Sequence, residues 1–135
     1  MTPAERQRQL IEDFSFIEDR HERLAAVIDR ARGTPRLPDH ERTAANLVPG
    51  CTSQVWLTAT CADGRCEFRY DCDSPLVKGL VGLLVDTYAG AAPADVVATE
   101  PTVLSELGLL RDLSPTRQNG LAAVRRRIVE LAQSN

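Results

Sequence analysis

Leu47-Val48-Pro49-Gly50-Cys51-Thr52-Ser53-Gln54-Val55-Trp56 is the stretch on which the reading of this 135-residue chain turns. Pro49 fixes φ and lacks a backbone donor, and Gly50 permits φ values closed to other residues, so no regular element runs through the pair. A short loop of small polar residues follows, with one thiol at its tip and a strand starting behind it at Val55. A cysteine that serves packing sits more often inside an apolar run, as a small hydrophobe. A thiol in a polar turn ahead of a strand is therefore a candidate for chemistry as well as for structure.

From Val55 the pattern has period two. Val55, Leu57, Ala59 and Cys61 fall on one face, and Trp56, Thr58 and Thr60 fall on the other. Ala62-Asp63-Gly64-Arg65 reads as a hairpin turn with Asp-Gly at its centre, a favoured type I′ pair. The return strand runs from Cys66 to about Asp71, with Phe68 and Tyr70 on the face of Cys66. A turn centred on Asp63 and Gly64 sets Cys61 opposite Cys66, Ala59 opposite Phe68, Leu57 opposite Tyr70 and Val55 opposite Cys72.

That register has consequences for the four cysteines. Cys61 and Cys66 form a non-hydrogen-bonded pair with Cβ atoms about 4.5–5.5 Å apart, slightly longer than a disulfide wants, so that a bridge needs a modest adjustment. In a reducing compartment the expected state is two buried thiols side by side. Cys72 lies at the strand end nearest Cys51, so these two are expected to be neighbours that oxidation could join. A zinc site is not expected. The spacing Cys-x9-Cys-x4-Cys-x5-Cys lacks the close Cys-x2-Cys pair usual in structural zinc sites, and the two pairs sit at opposite ends of the hairpin.

Outward from the hairpin the chain reads as helical. Residues 4 to 32 carry Leu10, Ile11, Phe14 and Ile17, then Leu24, Val27, Ile28 and Ala31, at helical spacing and with a break between the two sets. Asp13 and Ser15 are candidate caps at that break. Gly33, Pro35 and Pro38 begin an extended linker. Asp73-Ser74-Pro75 opens an apolar helix reaching about Tyr88, in which a side-chain oxygen caps the first amides and proline suits the first turn. That helix is expected at the centre of the core. Short helical pieces follow at Pro93–Val97 and Pro101–Leu107. Ser114-Pro115 opens the last helix, on which Leu121, Val124, Ile128 and Leu131 keep the spacing, and Arg125, Arg126 and Arg127 read as a solvated face.

Composition bounds the function. A hydrophobic share of 43%, a charged share of 26% and a net charge of −3 describe an ordinary globular chain with no basic patch for nucleic acid. Length suits one domain over residues 1–135. No apolar run approaches the roughly 20 residues a membrane helix needs. The polar start Thr2 to Gln9 shows no secretory signal, so a cytoplasmic location with reduced thiols is expected. A Cys-His hydrolase needs a base beside its nucleophile, and His21 and His40 both lie in polar surroundings.

Three segments, taken in order, resemble the SufE family, which includes the CsdE proteins. They are Val48-Pro49-Gly50-Cys51-Thr52-Ser53-Gln54-Val55-Trp56-Leu57, Asp71-Cys72-Asp73-Ser74-Pro75-Leu76-Val77-Lys78-Gly79-Leu80, and Leu113-Ser114-Pro115-Thr116-Arg117-Gln118-Asn119-Gly120-Leu121. The resemblance implies an α+β fold, with a small antiparallel sheet of about three strands packed against several helices, as in IscU-type scaffold proteins. It implies an accessory protein rather than an enzyme. Such a protein accepts persulfide sulfur from a cysteine desulfurase of the SufS or CsdA kind, stimulates that enzyme, and passes sulfur to iron–sulfur assembly on a scaffold such as a SufBCD-type complex. Cys51 matches the family's persulfide-carrying cysteine, with Gly50, Ser53, Gln54, Asp73 and Arg117 supporting the loop or the docking. No metal or cofactor is expected in the chain, since the pyridoxal phosphate belongs to the partner. Thiolate stabilisation is expected from the helix start at Ser74-Pro75 or from Arg117, and Asp73 is expected to cap the helix and restrain the loop. The chain departs from the family at Cys72, commonly serine, and at Cys61 and Cys66, which the family does not require. A metal- or cluster-binding scaffold using the cysteines is the alternative reading.

Overall fold

In the computed structural model, which describes residues 1–134, six helices surround one hairpin. The hairpin is β1 (Val55–Ala62) and β2 (Arg65–Cys72), antiparallel, with Cys61 opposite Cys66, Leu57 opposite Tyr70 and Val55 opposite Cys72. Asp63 and Gly64 both take positive φ, 54° and 76°, as a type I′ turn requires. The expected register holds throughout.

Among the described residues the sheet has two strands rather than three. What stands in for a third is a pair of single bridges, Leu47 with Trp56 on one side and Cys66 with Ala91 on the other. Pro49 and Gly50 end the first of these after Val48, because neither continues a ladder.

The two faces of the hairpin meet different cover. Cys66, Phe68, Tyr70 and Cys72 are buried, while Glu67 and Arg69 between them are exposed, which is the alternation of a strand with one face in the core. Trp56 and Asp71 on the opposite face are buried too. The linker covers them, with Leu37 buried against that end and Leu47 bridged to Trp56.

The central helix is α3 (Pro75–Thr87), which buries Leu80, Val81, Leu83, Leu84 and Val85. Ser74 caps it by accepting from the Val77 amide over 3.4 Å. Around it pack α1 (Pro3–Ser15), α2 (Arg20–Arg32), α5 (Val103–Glu106) and α6 (Pro115–Ser134), with α4 (Pro93–Ala98) against α6. A Cβ at Gly79 would stand 3.0 Å from the Ile28 Cα, so glycine there lets α2 and α3 approach backbone to backbone. The buried Gln7 side chain ties α1 to α5 by accepting from the amides of Thr102 and Val103 over 2.7 and 3.1 Å.

The break between α1 and α2 falls where the pattern places it, but its cap is neither Asp13 nor Ser15. Asp19 accepts from the His21 and Glu22 amides at the start of α2, and Thr2 with Glu5 forms a capping box at the start of α1. Thr2 and Asp19 each sit at the residue before a helix begins, where the first amides lack intrahelical partners, and Glu5 reaches back from the first turn.

Candidate functional site

Cys51 stands on the loop between the Leu47–Trp56 bridge and β1. Gly50 takes φ +90°, a region where side chains strain the backbone, and this turns the chain so that Cys51 faces α6. A Cβ at position 50 would lie 3.4 Å from the Ala123 Cβ. One turn nearer the helix start, the Cys51 thiol donates to the Gly120 carbonyl over 3.3 Å. Gly120 lies directly beneath it, and a Cβ there would stand 3.7 Å from the sulfur, in ordinary contact. The half-buried thiol sits in a small cavity walled by Ser53, Val77, Arg117, Leu121 and Val124.

The loop is anchored at both ends. The Val48 amide donates to the Val55 carbonyl over 2.8 Å, and the Asp73 amide donates to the Gln54 carbonyl over 3.1 Å. Asp73 Oδ1 accepts in return from the Gln54 amide at 3.0 Å. Asp73 thus restrains the loop, while Ser74 does the capping. Arg117 lies exposed at the rim of the cavity, and its amide donates to Ser114 Oγ over 3.2 Å.

The electrostatics differ from expectation. Burial pushes the Cys51 thiol above its ordinary value, and the charge of Arg126 pulls against that shift. The start of α3 serves the other free thiol: the Ser74 amide donates to Cys72 Sγ over 3.5 Å. Burial pushes Cys72 up to about 11. The Ser74 amide opposes that rise, and the charges of Asp73, Cys51 and Asp71 add to it. Cys51 and Cys72 therefore sense one another, as the register implies. His21 and His40 are both exposed.

Two pieces of the surroundings escaped the sequence reading. Asp71 is almost wholly buried and accepts from the Leu37 and Cys72 amides over 3.1 and 2.8 Å, with Lys78 Nζ at 3.4 Å and Arg36 Nε at 3.5 Å. Burial alone would raise this carboxyl, but those amides and Lys78 outweigh it and hold it below its ordinary value. The other piece is a groove of about 650 Å³ along α6, lined by Leu104, Leu110, Arg125 and Val129. It shares Leu121 with the Cys51 cavity but holds no thiol.

Cys61 and Cys66 are joined as a disulfide, not held as separate thiols. Their Cα atoms are 4.0 Å apart, so the facing positions across the hairpin make the adjustment that a bridge needs. A four-cysteine metal site thereby lacks two of its ligands. Among the described residues no three His, Cys, Asp and Glu are grouped to hold a metal ion.

The family profile described as SufE, Fe-S metabolism associated domain, matches residues 8–132. The chain belongs to the SufE family. An uncharacterized SufE-like protein of Rhizobium etli is 38% identical over 130 residues, covering 93% of this chain and 88% of that one. A segment of the chloroplastic quinolinate synthase of Oryza sativa is 38% identical over 109 residues, which is 80% of this chain and 15% of that protein. The solution structure of a hypothetical protein from Thermus thermophilus shares the fold at a TM-score of 0.78 and 23% identity, covering 99% and 97% of the two chains. SufE membership associates the chain with iron–sulfur metabolism. Among the described residues no helix is long and apolar enough to cross a membrane.

Proposed function

We propose that this SufE-family chain is a sulfur carrier. It takes sulfane sulfur from a pyridoxal-phosphate-dependent cysteine desulfurase of the SufS or CsdA kind onto Cys51, stimulates that enzyme, and hands the sulfur to cytoplasmic iron–sulfur assembly on a SufBCD-type scaffold. The observation that carries the reading is a free thiol on a loop pinned at both ends, whose tip is held by one hydrogen bond to Gly120 and an apolar wall. Pinned ends let the tip swing out and return without disturbing the hairpin behind it.

In the transfer, the Cys51 thiolate attacks the outer sulfur of the desulfurase persulfide. A new bond forms to Cys51 Sγ, and the desulfurase thiolate leaves, in the manner of thiol–disulfide exchange. The chain supplies a thiol and its presentation; the carbon–sulfur cleavage and the pyridoxal phosphate belong to the partner. Seated on α6, Cys51 is kept protonated by burial and shielded from solvent thiols. Docking has to draw it off Gly120, and Gly50 at positive φ is the pivot. Asp73 and Gln54 hold the base of the loop, Ser53 walls the cavity of the thiol, and Arg117 at the rim meets the partner.

Mass spectrometry after incubation with a cysteine desulfurase and cysteine tests the reading. Added mass in sulfur units on the Cys51 peptide, absent in Cys51→Ser, is expected. Sulfur lodging elsewhere, or equally in the variant, overturns it.

A further inference from the structure

The base of the Cys51 loop and the end of β2 run side by side. Val55 pairs with Cys72, and Gln54 exchanges two hydrogen bonds with Asp73. Gln54 and Val55 therefore lie along Asp73 and Cys72, and Cys51 stands three residues before Gln54 at the tip of the loop they anchor. Cys72 is free, 9% exposed, and part of the apolar core against which Cys51 packs. The disulfide at the far end of the hairpin uses the other two cysteines, which leaves this pair as the two free thiols, one on each side of the same clamp.

A carried persulfide holds its outer sulfur at the sulfane level, whereas iron–sulfur clusters contain sulfide, which is two electrons more reduced. Two thiols becoming one disulfide release two electrons. We propose that Cys72 is a resolving thiol: it attacks Cys51 Sγ of the loaded carrier, so that the outer sulfur departs as hydrosulfide and a Cys51–Cys72 disulfide remains. The inference rests on the carrier reading above.

The step balances without an outside reagent. The Cys72 Sγ–Cys51 Sγ bond forms and the bond from Cys51 Sγ to the outer sulfur breaks. The Cys72 proton leaves with the sulfur as HS⁻, and the two cysteine sulfurs are oxidised while the sulfane is reduced. A dithiol reductant then reopens the disulfide for the next cycle. Burial suits Cys72 to this order of events. A thiol kept protonated does not compete for sulfur while Cys51 is being loaded; it becomes the attacking thiolate when its proton passes to the outer sulfur of the Cys51 persulfide anion, which then departs as HS⁻.

The test loads Cys51 chemically with an inorganic polysulfide, leaving the desulfurase out, and follows the protein after the donor is removed. One hydrosulfide per loaded chain is expected, at a rate independent of protein concentration, with a Cys51–Cys72 cross-linked peptide on mapping. In Cys72→Ser and Cys72→Ala the Cys51 persulfide persists, and sulfide release falls at least tenfold. Equal release from wild type and both variants, or a wild-type persulfide that persists beside a free Cys72 thiol, overturns the resolving role and leaves the carrier standing. Polysulfide sulfur that never lodges on Cys51 in any of the three proteins overturns both.

Discussion

The Cys51 thiol and the Gly120 carbonyl are 3.3 Å apart, and the loop rests on α6 at a residue with no side chain. Glycine inside a helix costs about 1 kcal/mol against alanine. A Cβ at 120 meets Cys51 at 3.7–4.0 Å, ordinary contact distance. Gly120→Ala should therefore stabilise the protein by up to about 1 kcal/mol in denaturant melts and leave Cys51 alkylation nearly unchanged. Gly120→Leu has no such room and should evict the loop, which would appear as faster alkylation of Cys51. Unchanged alkylation in the leucine variant would show that the thiol does not depend on this seat.

Arg126 is the charge that opposes the burial-driven rise of the Cys51 thiol. It follows Ala123 by three residues on α6, so it continues the helix face on which Gly50 rests. Its cation favours the thiolate. Removing it should raise the thiol further and slow alkylation at neutral pH. The pH–rate profile of Cys51 alkylation in Arg126→Gln should shift to higher pH than wild type, and Arg126→Lys should restore it. Arg117→Gln should shift the profile less, since the Arg117 charge does not figure in the Cys51 shift.

Much of this arrangement was legible in the chain. The Asp63-Gly64 turn and the alternation on either side fixed the hairpin register residue by residue, and Ser74-Pro75 and Ser114-Pro115 marked two helix starts. The rest depended on approach in space. Gly120 stood inside a helical pattern, where an isolated glycine signals close contact, yet nothing in the sequence says that the contact is a sulfur. Arg125, Arg126 and Arg127 look alike as a run, and only the helix face separates Arg126 from the others. Asp71 reads as the polar end of a strand. Its burial comes from the linker folding over Trp56, which no local pattern encodes. The α3 start lies near the same hairpin end as Cys51, but Cys72 is two residues from Ser74 and takes its amide first.

The Cys61–Cys66 bridge closes a short loop at the turn, at the opposite end of the hairpin from Cys51. Loop-closure entropy for a loop of this size predicts a contribution of about 2 kcal/mol. The double variant Cys61→Ser, Cys66→Ser should melt lower by a corresponding amount. Sulfur loading of Cys51 should be unaffected, because the Cys66–Ala91 backbone bridge and the rest of the ladder do not need the sulfurs. Loss of Cys51 loading in a folded double variant would tie the two ends of the hairpin together and refute their independence.

Asp71 offers the sharpest stability test. Its carboxylate accepts from two backbone amides and faces Lys78, Arg36 and Arg42 from a side chain only 1% exposed. Removing one partner from a buried charged network costs about 3–5 kcal/mol, because the remaining charges lose their counterpart. Asp71→Asn keeps the shape and one acceptor for the amides but removes the carboxylate that Lys78 faces, while Arg42 keeps its pair with Asp39, so a loss of roughly 3 kcal/mol at neutral pH is expected. The pH dependence has a definite sign. The folded carboxyl lies below its ordinary value, so the unfolded chain takes up the proton first as pH falls. The stabilisation is fully present above the unfolded value, about 3.9, and is lost as pH drops through the folded one. Wild type and Asp71→Asn should differ most near pH 7 and converge below about pH 4 in urea titrations. A gap that stays constant down to acid pH would mean that the variant acts by misfitting its surroundings and not through the charge.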